Sequence, residues 1–328
     1  MPHAPCPSAL LPAAAAKWRT ASSNHHLLTL DSPDYPQSLK HIADPPKLLY
    51  VIGNVACLNA PQLAIVGSRR MTHYGKDNAH QFGQDLARKG LTITSGLAYG
   101  IDASAHQGAL AAKGHTIAVL GSGIDHITPT QHQSLAQQIV ANQGAIVSEF
   151  PLGTPAHRRH FPQRNRIITG MSIGTLVIEA ALKSGSLISA RLAMEQNRTV
   201  FAIPGSIHSP MSKGCHQLLK QGAKCVECSD DILIELKPLL TPYLEMPIAE
   251  QAYPKQTRHT NTPNSIDDES IAVLKQVDYD VTPIDSIIQR CQQPVDVIAS
   301  ILLILELNGY VQSTAGGYIK CRDINRYE

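Results

Sequence analysis

Short apolar runs alternate with amphipathic segments between residues 63 and 205, and this pattern constrains the fold more than any other feature of the chain. Segments of helical character, such as YGKDNAHQFGQDLARKG and SLISARLAMEQN, separate the runs. Repeated strand and helix predict a mostly parallel sheet with helices on both faces. We therefore expect an α/β domain with a Rossmann-like, doubly wound sheet. The six predicted strands are LAIVG (63–67), LTITSG (91–96), TIAVLGSG (116–123), AIVSE (145–149), GTLVIEA (174–180) and TVFAIPG (199–205).

Both ends of the chain follow other patterns. Residues 1–25 are rich in Ala, Pro and Ser without periodicity, so we expect an irregular or truncated N-terminal lead before an extended Rossmann-like domain at 26–236. A polar segment with several prolines predicts a linker at 237–264. Residues 265–328 then predict three helices and a hairpin that turns at 315–317, which is typical of a small winged-helix domain.

The charge is divided unevenly between these parts. The formal net charge is +2, but the last 64 residues contain ten acidic and five basic residues and carry −5, which leaves +7 for the remainder. Contact with nucleic acid is therefore expected in the larger domain. The third winged-helix segment has no Lys or Arg and carries Asp296 and Glu306. This favours an interaction or scaffold module over a DNA reader, although DNA reading stays open as the lesser alternative.

Several classes of protein are disfavoured. The longest apolar stretch, near 297–305, is far shorter than the roughly 20 residues of a membrane helix, and no basic leader precedes the apolar patch at the N-terminus, so we expect a cytoplasmic protein. Seven cysteines include one close pair, Cys225 and Cys228, without the second pair that a zinc site needs. Reduced thiols, no metal and no cofactor are the expectation.

Glycine-rich segments indicate the kind of ligand. Parallel strands all end at one edge of their sheet, and we expect four such segments to meet there: 67–70, 95–102, 121–123 and 170–175. Glycine permits close backbone approach, and helix N-termini attract anions, so the predicted ligand carries phosphate. The chain lacks both the G-x-x-x-x-G-K-[ST] motif of P-loop nucleotide sites and a G-x-G-x-x-G first turn, which argues against ATP hydrolysis and a conventional NAD site.

A basic run strengthens this prediction. The segment PAHRRHFPQRNRI (155–167) holds four arginines and two histidines within ten positions, and no acidic residue occurs between Glu149 and Glu179. The run follows a predicted strand, so it begins at the same edge, where arginine binds phosphate well. Phe161 and Tyr99 could stack on unpaired bases. We expect largely sequence-independent binding of a single strand, with a solvated basic loop as the alternative.

The motifs AIVGSRR, SGLAYGIDASAH, AVLGSGID, SEFPLGTPAHRRHFPQRNRIITGMS, TLVIEAALKSGSLISARLA, VFAIPGS and SKGCHQLLKQGA resemble, in order and spacing, the DNA-processing protein A (DprA/Smf) family. The resemblance covers about residues 28–236. It implies a non-catalytic, single-strand DNA-binding protein that protects incoming DNA in natural transformation and helps load RecA recombinase onto it. It also implies a homodimer formed through the Rossmann-like domain, with RecA contacts on an overlapping surface. Many members carry a helical N-terminal domain before DSPDYPQSLKHIADPP, where this chain has about 25 irregular residues.

The resemblance also implies roles for individual residues. DNA contacts are expected at Ser68, Arg69, Arg70, Phe161, Arg164, Asn165, Arg166, Lys183, Lys213 and Gly214, with Phe161 as the stacking candidate. The residues expected to organise the loops are Gly67, Gly96, Gly100, Asp102, His106, Gly121, Gly123 and Gly174.

Two other functions compete with this interpretation. The segment 174–179 faintly resembles the P-G-G-x-G-T-x-x-E loop of Rossmann-type nucleotide phosphoribohydrolases, whose glutamate assists glycosidic cleavage. Residues 171–173, Met-Ser-Ile, replace the glycine-rich start, and a single carboxylate without an acid/base partner supports hydrolysis weakly. A transcription regulator acting through the winged helix is the other alternative, which the acidic charge of that domain disfavours.

Overall fold

The computed structural model describes residues 13–244 and 267–321 of the chain. It divides into two compact units, Met1–Pro247 and Ile248–Glu328. The last helix of the large unit continues to Leu244, beyond the predicted end of the first domain at Leu236. The rest of the predicted linker, 245–264, lies outside the described residues.

The large unit is built on a nine-stranded sheet of order β1-β2-β6-β5-β4-β3-β7-β8-β9. Strands β1 and β2 pair antiparallel, β2 pairs antiparallel with β6, and the remaining neighbours are parallel. The doubly wound, mostly parallel fold is therefore confirmed, and the six predicted strands are β3 to β8. The strands are β1 His25–Thr29, β2 Leu48–Gly53, β3 Gln62–Val66, β4 Thr92–Ser95, β5 Thr116–Val119, β6 Ala145–Ser148, β7 Gly174–Val177, β8 Thr199–Ala202 and β9 Lys224–Cys225.

Helices cover both faces of this sheet. Along β3, Ala64 and Val66 join one apolar cluster, whereas Leu63 and Ile65 join another on the opposite face. Burial on both faces explains why the central strands are continuous apolar runs. The helices are α1 Ala13–Thr20, α2 Gln37–Lys40, α3 His73–Arg88, α4 Ile101–Ala111, α5 Gln133–Ala141, α6 His160–Met171, α7 Ser186–Glu195, α8 Lys213–Lys220 and α9 Ser229–Leu244.

The strand order reverses between β3 and β7. From β3 the chain adds β4, β5 and β6 on one side, and from β7 it adds β8 and β9 on the other. In such sheets the crevice at the reversal, outside the carboxyl ends of the strands, is where ligands bind. One prediction about this edge is wrong: 170–175 leads into β7, because α6 carries the chain back to the opposite edge. Gly174 is thus the first residue of β7 and lies away from the crevice.

The predicted irregular lead is partly helical. Helix α1 buries Ala15, and the Trp18 ring stacks on His25 of β1 with centroids 4.2 Å apart. The carbonyl oxygen of Trp18 also lies 2.9 Å from His25 Nδ1. The helix therefore covers the edge strand of the sheet, a tertiary contact that local composition does not reveal. Residues 1–12 lie outside the described residues.

The C-terminal unit has the predicted winged-helix architecture. It consists of α10 Asp268–Leu274, α11 Ile284–Cys291, α12 Val295–Leu307 and the hairpin of β10 Val311–Thr314 with β11 Gly317–Lys320. The unit has an apolar core of its own. Within the described ranges no single helix is long and apolar enough to cross a membrane, and α11 and α12 pass that test only as a pair bent by 112°.

A buried histidine joins α4 to the start of β5. His106 Nδ1 lies 2.6 Å from Thr116 Oγ1, and the Thr116 hydroxyl donates its proton to the Ile93 carbonyl oxygen, also at 2.6 Å. Nδ1 is therefore the protonated ring nitrogen and donates to Thr116. Burial lowers the pKa of His106 to about 3, so the ring stays neutral in the folded protein. Its partners lie on β4 and β5 rather than in a glycine loop, and the predicted loop-organising role stays a prediction.

We predict that His106→Gln reduces the pH dependence of stability. In the unfolded chain a histidine takes up a proton near pH 6.5, whereas folded His106 does so only near pH 3. As the pH is lowered from 6.5 to 3, the unfolded state is therefore favoured, and this residue alone should reduce the wild-type free energy of unfolding by about 1.4 kcal/mol per pH unit. Urea denaturation from pH 4 to pH 8 measures the effect as the difference between wild type and variant. The exposed His208→Gln is the matched control, and equal slopes for wild type and His106→Gln would contradict the assignment.

Candidate nucleic-acid interface

A cavity of about 650 Å³ opens at the reversal of strand order. Its wall is formed by the loop after β3, the loop after β4, the first half of α6 and the loop between β7 and α7. The structure thus brings together three of the predicted regions and adds a fourth. Polar and charged lining residues are Ser68, Arg69, Arg70, Asp102, Arg158, Arg164, Asn165, Lys183, Ser184, Ser186 and Ser189.

The loop after β3 presents two exposed arginines, Arg69 and Arg70. The Arg70 amide donates to Ser68 Oγ at 3.0 Å, and the Ile101 amide donates to the Ser68 carbonyl oxygen at 3.2 Å. Gly100 has φ +82°, and a Cβ there would lie 2.2 Å from the Ser68 carbonyl oxygen. Only glycine permits this close approach of the two loops, which holds the backbone that carries both arginines.

Asp102 holds the loop after β4 from below. Its buried carboxylate accepts hydrogen bonds from the Gly96 amide at 3.2 Å and the Ala98 amide at 3.4 Å. Between them, Leu97 has φ +57°, and its carbonyl oxygen accepts from His132 Nδ1 at 2.8 Å. Burial raises the pKa of Asp102, while the positive charge of Arg164 and the two amides act in the opposite direction. These contacts agree with a loop-organising role for Asp102 and Gly96.

Arg164 is a clamp between helix α6 and two strands. The side chain is 3% exposed and donates through Nη1 to the carbonyl oxygens of Gly96, at 2.6 Å, and Val119. A Cβ at Gly96 would lie 2.4 Å from this guanidinium, so any other residue there would displace the Arg164 side chain. Burial lowers the pKa of Arg164 to about 10, and the charge of Asp102 opposes this shift. The donors that would bind phosphate are thus partly used inside the protein.

Arg166 faces away from the cavity. Its guanidinium forms ion pairs with Glu149 at 2.6 Å and Asp44 at 3.3 Å. Burial raises the pKa of Glu149, and the charge of Arg166 opposes that rise. Asp44 and Glu149 therefore neutralise part of the positive charge of the basic run 155–167, which contains no acidic residue. Arg166 is not among the residues that line the cavity, and its predicted DNA contact stays a prediction.

The Phe161 ring lies between Arg69 and a glycine. The Arg69 guanidinium carbon is 4.7 Å from the ring centroid, a cation–π contact. A Cβ at Gly121 would lie 3.0 Å from Phe161 Cδ1, so glycine lets the ring approach the loop after β5. In this geometry Phe161 supports Arg69, and a base could stack on the covered face only if the guanidinium moved. Tyr99 is outside the lining, and its hydroxyl lies 2.5 Å from Gln131 Oε1.

The loop before α7 was not recognised as a phosphate-binding segment from its residues, although the family motif identified Lys183 within it. Lys183 is exposed and lines the cavity with Ser184, Gly185 and Ser186. The hydroxyls of Ser184 and Ser186 lie 2.6 Å apart. Small residues immediately before a helix were the available signal, because free amides at a helix N-terminus attract anions. Arg158, a member of the basic run 155–167, also lines the cavity.

Three further predicted residues lie beyond the lining. Lys213 donates through Nζ to the Ile207 carbonyl oxygen. Gly214 donates its amide to the Ala180 carbonyl oxygen at 2.7 Å, and a Cβ there would collide with the same oxygen, so this glycine lets α8 approach the end of β7. Gly123 likewise donates its amide to the Thr154 carbonyl oxygen at 2.8 Å. Gly67 lines the cavity and packs against the side chain of Ile101.

Glu179, the carboxylate of the hydrolase alternative, holds Thr72, the residue that caps the N-terminus of helix α3. Its Oε2 accepts from the Thr72 amide at 3.0 Å and its Oε1 from the Thr72 hydroxyl at 2.5 Å. Thr72 Oγ1 in turn accepts from the Gly75 amide at 3.0 Å. Both carboxylate oxygens thus have structural partners, and Glu179 is not among the residues that line the cavity. This arrangement opposes a role for Glu179 in glycosidic cleavage.

Comparison with protein families identifies both units. Residues 26–237 match the model of DNA recombination-mediator protein A, and residues 257–317 match the DprA winged helix domain. Protein Smf of Escherichia coli K12 is 44% identical over 304 residues, which span 91% of this chain and 78% of that protein. DNA processing protein DprA of Bacillus subtilis is 41% identical over 236 residues, spanning 72% of this chain and 78% of that protein.

Solved structures show the same fold. DNA processing protein A from Streptococcus pneumoniae superimposes with a TM-score of 0.62 and 41% identity, covering 67% of this chain and 76% of that structure. DNA processing protein A from Helicobacter pylori, whose structure describes its single-stranded DNA binding mode, superimposes with a TM-score of 0.58 and 32% identity. That match covers 66% of this chain and 98% of the other.

We predict that two arginines of the cavity differ sharply in their contribution to folding. Arg164→Met leaves the carbonyl oxygens of Gly96 and Val119 without this donor and Asp102 without a nearby positive charge, so the free energy of unfolding should fall by about 3 kcal/mol or more. Arg158→Met removes an exposed arginine of the same cavity and should change the free energy of unfolding by no more than about 0.5 kcal/mol. Urea denaturation of the two variants measures the contrast, and equal losses would show that Arg164 is not a clamp.

Proposed function

The chain belongs to the DNA recombination-mediator protein A family of DprA and Smf proteins, and we propose that it binds single-stranded DNA through the cavity at the reversal of strand order. The observation that carries the proposal is the convergence of exposed cations from three separate elements on one crevice. Arg69, Arg158 and Lys183 line it from the loop after β3, the segment before α6 and the loop before α7. Such a lining suits a chain of phosphates.

The balance of charge inside the cavity supports an anionic ligand. Among the described lining residues the carboxylate is that of Asp102, which is buried and accepts hydrogen bonds from loop amides. The other ionisable lining residues are cationic. Serine hydroxyls and the N-terminal amides of α7 add neutral donors for phosphate oxygens. Because these groups address the backbone, binding should depend little on base sequence.

Phe161 has a supporting role in this proposal. Its ring packs under the Arg69 guanidinium, so it positions a phosphate-binding cation. The predicted stacking role would require Arg69 to leave the ring face. An oligonucleotide of abasic sites separates the two roles, because it offers phosphates without bases. If Phe161 positions Arg69, then Phe161→Leu weakens binding to oligothymidine and to the abasic strand alike.

The proposed cellular role follows the family. We propose that the protein protects incoming DNA during natural transformation, helps load RecA recombinase onto it, acts as a homodimer formed through the large unit and has no catalytic activity. The partners of Glu179 support the last point. The release of free base from nucleoside monophosphates by the pure protein would revive the hydrolase alternative.

We predict that Arg69→Ala combined with Lys183→Ala weakens binding to oligothymidine at least about tenfold, because two phosphate contacts are lost. The slope of log affinity against log salt concentration should shrink by about 1.4 in magnitude, and other base sequences should lose the same factor. Fluorescence anisotropy across a salt series measures both quantities. Lys220→Ala removes an exposed lysine at the end of α8 and serves as the control. Unchanged binding by the double variant would exclude the cavity as the binding site.

We predict that the protein accelerates RecA-dependent strand exchange on DNA already coated with single-strand binding protein. The expected cause is displacement of the coat as RecA is loaded, so the Arg69/Lys183 double variant should lose the acceleration. Light scattering of the same preparations tests the homodimer. Equal exchange rates with and without the protein would contradict the loading role while leaving DNA binding unaffected.

A further inference from the structure

Helix α12 of the winged-helix unit is apolar on two opposite faces. Ile298, Ile301, Leu302 and Leu305 point into the core of the unit and are buried. On the other face Leu303 is 57% exposed, Ile304 49% and Leu307 80%. Large apolar side chains clustered on an exposed helix face are typical of a surface that contacts a partner.

The exposed residues Leu303, Ile304 and Leu307 form an apolar stripe over the C-terminal half of the helix, and the exposed Ala299 and Ser300 continue the same face toward its N-terminus. Ala299, Leu303 and Leu307 are four residues apart, and Ile304 lies beside Leu303, so they share one side of the helix. The helix has 13 residues and is therefore about 20 Å long, enough for three turns of another helix. The stripe is what one helix offers another in ridge-and-groove packing.

The charges around the stripe select the partner. Asp296 lies at its N-terminal end and Glu306 near its C-terminal end, where the Glu306 carboxylate accepts a hydrogen bond from the Ser313 amide at 2.9 Å. Helix α12 has no Lys or Arg. The described part of the unit, 267–321, contains eight acidic and three basic residues. A partner with cations near both ends of its apolar face would be complementary.

The same charges disfavour two other occupants. Two copies of α12 packed antiparallel would place Asp296 of each helix near Glu306 of the other, and parallel packing would place each acid near its own counterpart. Neither orientation supplies a cation from this helix. Duplex DNA would bring phosphates against these acids, at the position where a winged helix that reads DNA carries donors.

We propose that the exposed face of α12 binds an amphipathic helix of another protein, with aliphatic residues on one side and Lys or Arg flanking them. Leu303, Ile304 and Leu307 form the apolar contact, and Asp296 and Glu306 pair with the flanking cations. The third helix of this winged-helix unit is thus a protein-binding element. The site lies on the small unit and does not depend on the proposed binding of DNA by the large one.

The experiment uses the full chain and a fluorescent peptide of leucine and lysine, about four turns long, with its leucines on one helical face. A shuffled peptide of equal composition and a leucine–glutamate peptide are the matched probes. Leu303→Ser combined with Leu307→Ser should weaken binding of the lysine peptide at least about tenfold. Asp296→Asn should weaken it about two- to threefold at low salt and leave it unchanged at high salt. Ile234→Ser, at a residue 72% exposed on α9, should have no effect.

Each alternative gives a distinct result. The proposal is overturned if the double serine variant binds the peptide as wild type does, or if the shuffled or glutamate peptide binds equally well. It is also overturned if the serine substitutions dissociate a dimer that forms without peptide, or if they reduce affinity for duplex DNA. Thermal unfolding curves that match wild type establish that the exposed substitutions leave the fold intact.

Discussion

The buried Arg164 guanidinium is the interaction on which the arrangement of the crevice depends. From helix α6 it donates to the carbonyl oxygens at the ends of β4 and β5. The Asp102 carboxylate accepts hydrogen bonds from amides of the loop after β4. A charge this deeply buried is tolerated only because it donates to carbonyl oxygens and interacts with the opposite charge of Asp102. The pair fixes the loop after β4 and the start of α6 relative to each other. The exposed cations Arg69 and Arg158 are thus attached to backbone segments whose positions are fixed.

Different arginines therefore have the structural role and the proposed ligand-binding role. Arg164 donates to backbone carbonyl oxygens at the crevice, and Arg166 forms ion pairs with Glu149 and Asp44. Arg69 and Arg158 remain exposed at the crevice. The two units are divided in a similar way, since the larger carries the cationic crevice and the smaller is acidic with an apolar helix face. The proposed phosphate ligand and the proposed protein partner thus have separate surfaces.

Much of the fold could be predicted, because strands buried on both faces must be apolar runs and the helices between them must be amphipathic. The two antiparallel strands β1 and β2, helix α1 and the continuation of α9 to Leu244 were not predicted, because tertiary packing stabilises them more than local pattern does. The segment 170–175 was placed at the wrong edge of the sheet. A glycine-rich run has the same composition whether it follows a strand or precedes one. Only the path of α6 shows that this run precedes β7.

By itself the sequence determined the doubly wound domain, the winged-helix unit, the separation of charge and the family motifs, since these depend on residue order and period. Tertiary structure alone decided which members of the basic run face the crevice. A side chain's sequence neighbours do not reveal the acids that approach it from elsewhere, as Asp44 and Glu149 approach Arg166. It also decided that Glu179 binds Thr72, the cap of helix α3, and that Phe161 lies beneath Arg69, because both contacts join residues that are distant along the chain.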